Sequence, residues 1–459
     1  MENGICIMST LLVGGTHRHY VEMAVIYSFR VKTLLVEFDR DLFVFTVLER
    51  GKVICKEIHF SKMLVQFLIK QFSEHNIRLV HLHHMMYMCD ELYKFLLNNN
   101  FKLAITLHDY YTICPQINMM CGSSYCNEAC EKICDTCMVN FTKDKAVVSK
   151  FLNIANWRRY WFNFLENANY LFVPSFDQRD RLLRYFPLLA NIRVVENPEI
   201  VNPITRYNET IRKIGILGTL SEAKGRSVLL ECARIAEKQN LNMQFVLFGT
   251  LRPSEYNLPA NLIVKGKYKE DEVYSFINSE GIDFFWFTAI WPETYSYVLT
   301  IPIRLGIPVI AADLGAIGER IKRGGWGEVY PVQSDVMEIL HALSGFDYGY
   351  YRKNGDFEIK NNHFLSFQDM YCDDSNIFSF YDDCENVYIN FDSKHLENNS
   401  DVNILGNPHS LQPREVKYLW DKQLGLCWKF KLLFASDKSS LFKKIFKISC
   451  KKICNLLQI

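Results

Sequence analysis

The stretch Trp291-Pro292-Glu293-Thr294-Tyr295-Ser296-Tyr297 sets one carboxylate just after an apolar run, with a helix expected to open directly behind it. A second apolar run, 308–312, follows one helix-length later and leads into Asp313-Leu314-Gly315-Ala316. In an open α/β sheet, the carboxyl ends of strands and the helix starts that follow them line the ligand crevice. Backbone N–H groups at such a start favour a phosphate or diphosphate. Glu293 is therefore expected to grip hydroxyl groups, and the amides around Tyr295, Ser296 and Tyr297 to take a phosphate. Lys224, in Gly218-Thr219-Leu220-Ser221-Glu222-Ala223-Lys224-Gly225, can hold a phosphate as a point charge. Its bland alternative is a solvated lysine near a helix start, mildly unfavourable unless an anion compensates. His108 ends the run Leu103 to Leu107, where a histidine faces either a ligand or its own hydrogen bonds. Gly14-Gly15-Thr16, between the first strand and a helix, lets backbone approach a ligand, or is a plain turn.

Cysteine is the other residue type with chemistry to offer. Cys114, Cys121, Cys126, Cys130, Cys134 and Cys137 crowd one short window among glycines and polar residues. Cys126, Cys130, Cys134 and Cys137 could close four thiolates around a structural zinc ion, although their spacing is not that of two paired Cys-x-x-Cys knuckles. Free thiols and an iron–sulfur cluster are the competing readings.

These residues need elements to position them. Ile5 to Met8, Thr33 to Val36, Leu79 to Leu82 and Leu103 to Leu107 read as buried strands, with helical stretches at 61–73 and 90–98 between the later ones. Asn169 to Pro174 and Ile192 to Val195 are later strands, and the polar, proline-broken 197–208 suits a linker. The pattern then restarts, with strands at 213–217, 244–248, 262–264 and 283–287 and helices at 225–239 and 270–279. Strand–helix alternation predicts parallel, doubly wound sheets in two α/β domains. The expected division is 1–205, including the cysteine-rich loop 114–137, then 206–345. Residues 346–439 form an extension of unassigned structure. Residues 440–459 read as a basic amphipathic helix, fit for an anionic membrane surface or for packing on the protein.

At 459 residues the chain exceeds what one hydrophobic core supports. A net charge of +1 gives no electrostatic case for nucleic acid. The start lacks the basic and apolar regions of a signal peptide, and no apolar run approaches the ~18 residues of a membrane span. Without a secretory signal, fifteen cysteines point to reduced thiols or metal, so a cytoplasmic location is expected.

Taken in order along residues 5–335, the Gly14-Gly15-Thr16 loop, Thr106-Leu107-His108-Asp109-Tyr110-Tyr111, the 214–225 element and the Trp291 block resemble the family-four (group 1) glycosyltransferases. The look-alikes are bacterial enzymes that build cell-surface polysaccharides. The resemblance implies the GT-B fold, two Rossmann-like domains facing across a cleft, here with a C-terminal extension. It implies a nucleotide-sugar donor in the second domain and a glycan or lipid-linked oligosaccharide acceptor in the first. Transfer with retention, no cofactor for catalysis and work on the inner face of the plasma membrane are further implications. His108 would lie near the transferred sugar and Glu293 would orient it. Gly14, Gly15, Thr16, Gly218, Thr219, Lys224, Tyr295, Ser296 and Tyr297 would hold the donor. Two positions depart from the family pattern. Thr219 stands where many members carry arginine, and Ile301 where a second glutamate commonly holds ribose hydroxyls. Losing one charge-assisted hydrogen bond costs roughly 1.5–3 kcal/mol, or tenfold or more in affinity. These departures keep a second reading open, a non-catalytic relative that binds a sugar nucleotide or glycan and supports a partner transferase.

Overall fold

The computed structural model describes residues 4–354 except 12–13, 41, 61–62, 99–100, 129, 143–144, 191, 198–211, 256 and 269–271, together with the strand 402–406. The expected linker beyond Asn197, most of the extension and the basic tail 440–459 lie outside the described residues. The described chain up to Ala104, with the strand 402–406, forms one compact unit, and Ile105 to Asn354 forms another.

The first unit runs β1 (Gly4–Thr10), α1 (Gly15–Ser28), β2 (Thr33–Asp39), β3 (Leu42–Glu49), β4 (Lys52–Phe60), α2 (Leu64–Glu74), β5 (Ile77–Leu82) and α3 (Asp90–Leu97). β1 lies between β2 and β5, parallel to both, with Ile5 opposite Thr33 and Leu79. Every residue of β1 and β2 is buried, as strands covered on both faces must be. Beside these parallel strands the sheet carries two that the sequence reading did not name. β3 and β4 form an antiparallel hairpin, and β3 pairs antiparallel with β2. The reason is local: Arg50 and Gly51 both have positive φ, 51° and 74°, the two-residue geometry that matches the twist of a tight hairpin.

β6 (Lys102–Thr106) carries the chain into the second unit. There follow β7 (Met120–Cys121), β8 (Ser124–Tyr125), α4 (Glu131–Phe141), α5 (Lys145–Phe151), α6 (Ile154–Leu165), β9 (Tyr170–Val173), α7 (Phe176–Tyr185) and β10 (Ile192–Val194). Side-chain caps fix two of these helix starts. Asn153 accepts from the amide of Asn156 before α6 at 2.8 Å, and Ser175 from that of Gln178 before α7 at 3.2 Å.

The remainder is β11 (Arg212–Leu220), α8 (Arg226–Lys238), β12 (Met243–Leu251), β13 (Leu262–Gly266), α9 (Val273–Glu280), β14 (Phe284–Phe287), α10 (Thr300–Arg304), β15 (Val309–Ala312), α11 (Gly315–Gly324), β16 (Gly327–Tyr330), α12 (Val336–Gly345) and α13 (Tyr348–Asn354). Further along the chain, β17 (Val402–Gly406) runs parallel to β4. Strands β11 to β16 form a sheet of their own, six parallel strands in the order β13-β12-β11-β14-β15-β16. Alternate side chains face opposite layers. Ile214, Ile216, Phe245 and Leu247 pack with α8 and α12, whereas Leu217, Val246 and Phe248 pack with α9, α10 and α11. The strand order reverses direction between β11 and β14. In a doubly wound sheet the carboxyl ends at that reversal form the ligand crevice.

Gly225 closes this crevice from below. Its φ of 77° opens α8, and a Cβ there would lie 1.8 Å from the carbonyl oxygen of Thr288, just past β14. Gly225→Ala is therefore expected to lower the thermal midpoint strongly, through the clash plus ~1–3 kcal/mol of backbone strain. Gly345→Ala is the control, because a Cβ at Gly345 meets nothing within 4 Å. Comparing the two melting curves checks the reading, which fails if they coincide.

Candidate functional site

The two chain segments that meet at the β11/β14 reversal carry Lys224 and Glu293. Lys224 lies two residues before α8, just ahead of its N-cap Gly225, and its carbonyl accepts from Thr288 Oγ1 at 2.6 Å. The Ile290 amide donates to the Ala223 carbonyl at 3.0 Å, locking the post-β14 loop onto the same turn. Those contacts bring the Lys224 ammonium to 3.5 Å from Glu293 Oε1. The carboxylate side chain is 9% exposed and the lysine side chain 38%. Glu293 thus sits at the bottom of the crevice and Lys224 at its lip.

The loop behind Glu293 is held from three sides. The Ala316 amide donates to the Glu293 carbonyl at 2.7 Å, and Gly315, with φ 63°, admits that approach because a Cβ would meet the same carbonyl at 2.7 Å. Thr294 Oγ1 donates to the carbonyl of His108 at 2.7 Å. Arg320, buried in α11, donates to the carbonyls of Tyr295 and Ser296 at 3.1 and 3.2 Å and to Thr300 Oγ1 at 3.3 Å. Its guanidinium also stacks 4.1 Å from the Tyr295 ring centroid. Ser296, with φ 68°, is held in the left-handed region and starts a single 3₁₀ turn, Tyr297–Leu299, that runs into α10. Its buried hydroxyl finds no hydrogen-bond partner among the described residues.

The expected site residues divide as follows. His108, Glu293, Lys224, Gly218, Thr219, Tyr295, Ser296 and Tyr297 all belong to the second unit. His108 lies two residues past the end of β6 and meets the Glu293 loop through its backbone. Gly218 and Thr219 lie inside β11, which runs on to Leu220, three residues past the expected end of that strand. Gly218 has φ 100°, and Thr219 Oγ1 is 3.3 Å from Thr250 Oγ1 on β12. Tyr295 is turned inward, its hydroxyl donating to the Asn197 carbonyl at 2.9 Å, so only its backbone is available to a ligand. Ile301, in place of a carboxylate, is buried with Leu299 and Ile303 in the core. Gly14, Gly15 and Thr16 open α1 in the first unit, with Gly14 at φ 97°.

Of the expected metal ligands, Cys126, Cys134 and Cys137 line one cavity together with Cys114 and Cys121. Cys130 does not join them; it is exposed and precedes α4. Burial pushes the Cys114 thiol up to about 12.

Sequence reasoning missed Arg320. Its signal was present, because Ala316, Ile317, Arg320 and Ile321 share one helical stripe, and an arginine on an apolar stripe needs buried acceptors. It also missed the network beside the cysteine loop. There Arg181 pairs with Asp177 at 2.7 Å and donates to Tyr125 Oη at 2.7 Å, and Glu128 binds both Arg181 and Arg184. The Tyr110 hydroxyl reaches Asp177 at 3.5 Å, and its ring meets Trp291 edge-on at 6.5 Å.

Residues 200–345 match the family model for glycosyl transferases group 1. No curated protein sequence matches the chain. Among solved structures, the chain is similar to the sucrose-phosphate synthase of Thermosynechococcus elongatus, at 14% identity over 81% of this chain and 98% of that one, with a TM-score of 0.54. It is similar to HepE of Anabaena in complex with UDP, at 14% identity over 80% of this chain and 95% of that one, with a TM-score of 0.50. HepE is also seen in complex with UDP-glucose. A likeness to TarM has 13% identity over 72% of this chain and a TM-score of 0.47, and the chain spans 63% of the length of TarM. No helix among the described residues is long and apolar enough to cross a membrane. Residues 200–345 thus match the group 1 glycosyl transferases, and the chain shares the fold of these solved structures, the GT-B fold.

Proposed function

We propose that this protein transfers a sugar from a nucleotide diphosphate donor to a glycan or lipid-linked acceptor, with the donor seated at the β11/β14 crevice. The observation that carries the reading is the Lys224–Glu293 pair, an ammonium and a mostly buried carboxylate 3.5 Å apart where the strand order reverses. The pair offers one group for the donor phosphates and one for the sugar hydroxyls. As the bond to the leaving diphosphate breaks, negative charge grows on the phosphate oxygens. Lys224, the start of α8 and the amides around Ser296 and Tyr297 stabilise that charge from fixed positions. Glu293 orients the sugar by accepting from its hydroxyls, and His108 stands one hydrogen-bonded contact away through Thr294. Retention of configuration, a role in bacterial surface polysaccharide and a site of work beside the membrane belong to the same proposal. Uridine diphosphate and its sugars are the first donors to try, because HepE is seen with both UDP and UDP-glucose.

A second reading has its own observation. Ile301 is a core residue with no hydrogen bond to offer a ribose, so a binding protein without transfer is the alternative. Thermal-shift titration with uridine, guanosine and deoxythymidine diphosphates, followed by assay of sugar release from the sugar nucleotide that binds, separates the two. Binding without release under any acceptor supports the second; no binding by any of them removes both.

Lys224→Ala is expected to weaken diphosphate binding about tenfold or more, the worth of one charge-assisted contact. Calorimetric titration measures it, and unchanged affinity means the phosphates lie elsewhere. Glu293→Gln should lower turnover about 100-fold while the melting temperature stays close to wild type. A purified variant with wild-type turnover would take Glu293 out of the reaction.

Arg320→Met keeps side-chain length but leaves the Tyr295 and Ser296 carbonyls without their donor. Each buried acceptor so stranded costs ~1–3 kcal/mol, so both stability and order in the 294–297 loop should fall. Hydrogen exchange at the Ser296 and Tyr297 amides is the readout. Protection equal to wild type means that the loop holds itself.

A further inference from the structure

The cysteine-rich segment is the one motif that sugar transfer leaves without a role. In the fold it is a hairpin followed by a helix. β7 and β8 pair antiparallel, with Cys121 opposite Ser124, around a turn containing Gly122 at φ 66°. Cys126 directly follows β8, and its amide closes the hairpin on the Met119 carbonyl at 3.0 Å. In α4, Cys134 and Cys137 stand one turn apart on the same side.

All four of these thiols line a single cavity of about 20 Å³, room for one water-sized occupant. Apart from Gln116, whose amide nitrogen donates to Thr142 Oγ1 at 2.9 Å, its other walls are apolar or sulfur-bearing, among them Met119, Met120, Ile133 and Met138. The Cys137 thiol donates to the Met120 carbonyl at 3.8 Å, beside Cys121, and Arg158 Nη2 donates to Cys134 Sγ at 3.5 Å. Four residues separate Cys121 from Cys126, and two separate Cys134 from Cys137. Spacings of two to four between paired cysteines are those of closed tetrahedral zinc sites.

We propose that the β7–β8 hairpin and α4 hold one structural zinc ion through Cys121, Cys126, Cys134 and Cys137. Cys121 replaces the exposed Cys130 of the spacing-based expectation. The lining carries five cysteines, no carboxylate or imidazole, and a single carboxamide, Gln116, so the cavity suits a soft cation far better than magnesium or calcium. Four thiolates around one divalent cation leave net negative charge, and the Arg158 guanidinium supplies the positive partner. Cys114 lines the same cavity but precedes the hairpin, and six residues separate it from Cys121, outside the spacing of paired zinc ligands, so it is assigned no place in the tetrahedron. Among the described residues no three cysteine sulfurs lie within 4.8 Å of one another. Zinc–sulfur bonds of about 2.3 Å require closer spacing, so the ion draws the thiols inward. The consequence is a staple. Tyr125 and Glu128 lie between the ligands and carry the contacts to Arg181, so the ion fixes the loop that braces α7.

Metal analysis of the full-length protein, purified without chelator, is expected to find about one zinc ion per chain. Cys121→Ser and Cys134→Ser should reduce it to background, whereas Cys130→Ser should retain it. Retention in Cys121→Ser with loss in Cys130→Ser would overturn the ligand set. Wild-type protein without metal, or with iron and sulfide in place of zinc, would overturn the site. If the serine variants do not fold, alkylation mapping of the wild type with and without chelator decides instead. Chelator should expose Cys121, Cys126, Cys134 and Cys137 together and leave Cys130 equally reactive throughout; a chelator-dependent Cys130 refutes the assignment.

Discussion

The approach of the Gly225 backbone to the Thr288 carbonyl is the constraint on which the rest of the crevice depends. It permits the turn before α8 to press against the exit of β14, and two hydrogen bonds, Thr288 to Lys224 and Ile290 to Ala223, then fasten the turn. Neither Lys224 nor Glu293 could be placed by its own strand alone. One follows β11 and the other follows β14, and only the close backbone contact sets them 3.5 Å apart. A partly exposed ion pair contributes little to stability by itself. Holding an opposed charge pair at a strand-order reversal makes sense chiefly if a ligand is to separate them.

Arg320 solves a different problem. The Glu293 loop has to present its backbone, and Ser296 sits in a left-handed conformation that strains a non-glycine residue. Such strain persists only when neighbours over-determine the backbone. Arg320 takes two consecutive carbonyls of the loop, stacks on Tyr295 and binds Thr300 beyond the 3₁₀ turn. A guanidinium does this better than an ammonium because its planar fork reaches several acceptors at once. The tilt of the loop, and with it the aim of Glu293, is therefore set from α11.

Much of this was legible in the sequence, and the losses have physical causes. The strands announce themselves as short apolar runs bounded by polar residues, so His108 and Glu293 could be placed just past such runs, whereas Lys224 was singled out by the resemblance of the 214–225 element. The β3–β4 hairpin was not legible, because Leu42 to Leu48 is an apolar run without period, and its antiparallel course is decided by the backbone of Arg50 and Gly51. Spacing alone selected Cys130 over Cys121, since nothing in the sequence says that α4 begins after Cys130 and turns Cys134 and Cys137 to one side. Arg320 was legible as an arginine on an apolar stripe, but its partners were not, because they are carbonyls, which leave no trace in side-chain pattern.

Ile301, the position where the resemblance expects a second glutamate, serves packing instead. The residue faces the layer packed against α9 and α11, in company with Leu299 and Ile303, so its apolar contacts repay burial that a carboxylate could have sustained only with a partner. The Ser296 hydroxyl, five residues earlier, is buried without a partner among the described residues. A polar group left so is destabilising until something supplies its hydrogen bond. The proposed donor site therefore combines one position given to packing with one left polar. If a nucleotide sugar binds here, its grip shifts from a ribose carboxylate at position 301 towards the 293–297 loop and Lys224, which places more of the binding energy on the diphosphate and sugar than on the nucleoside.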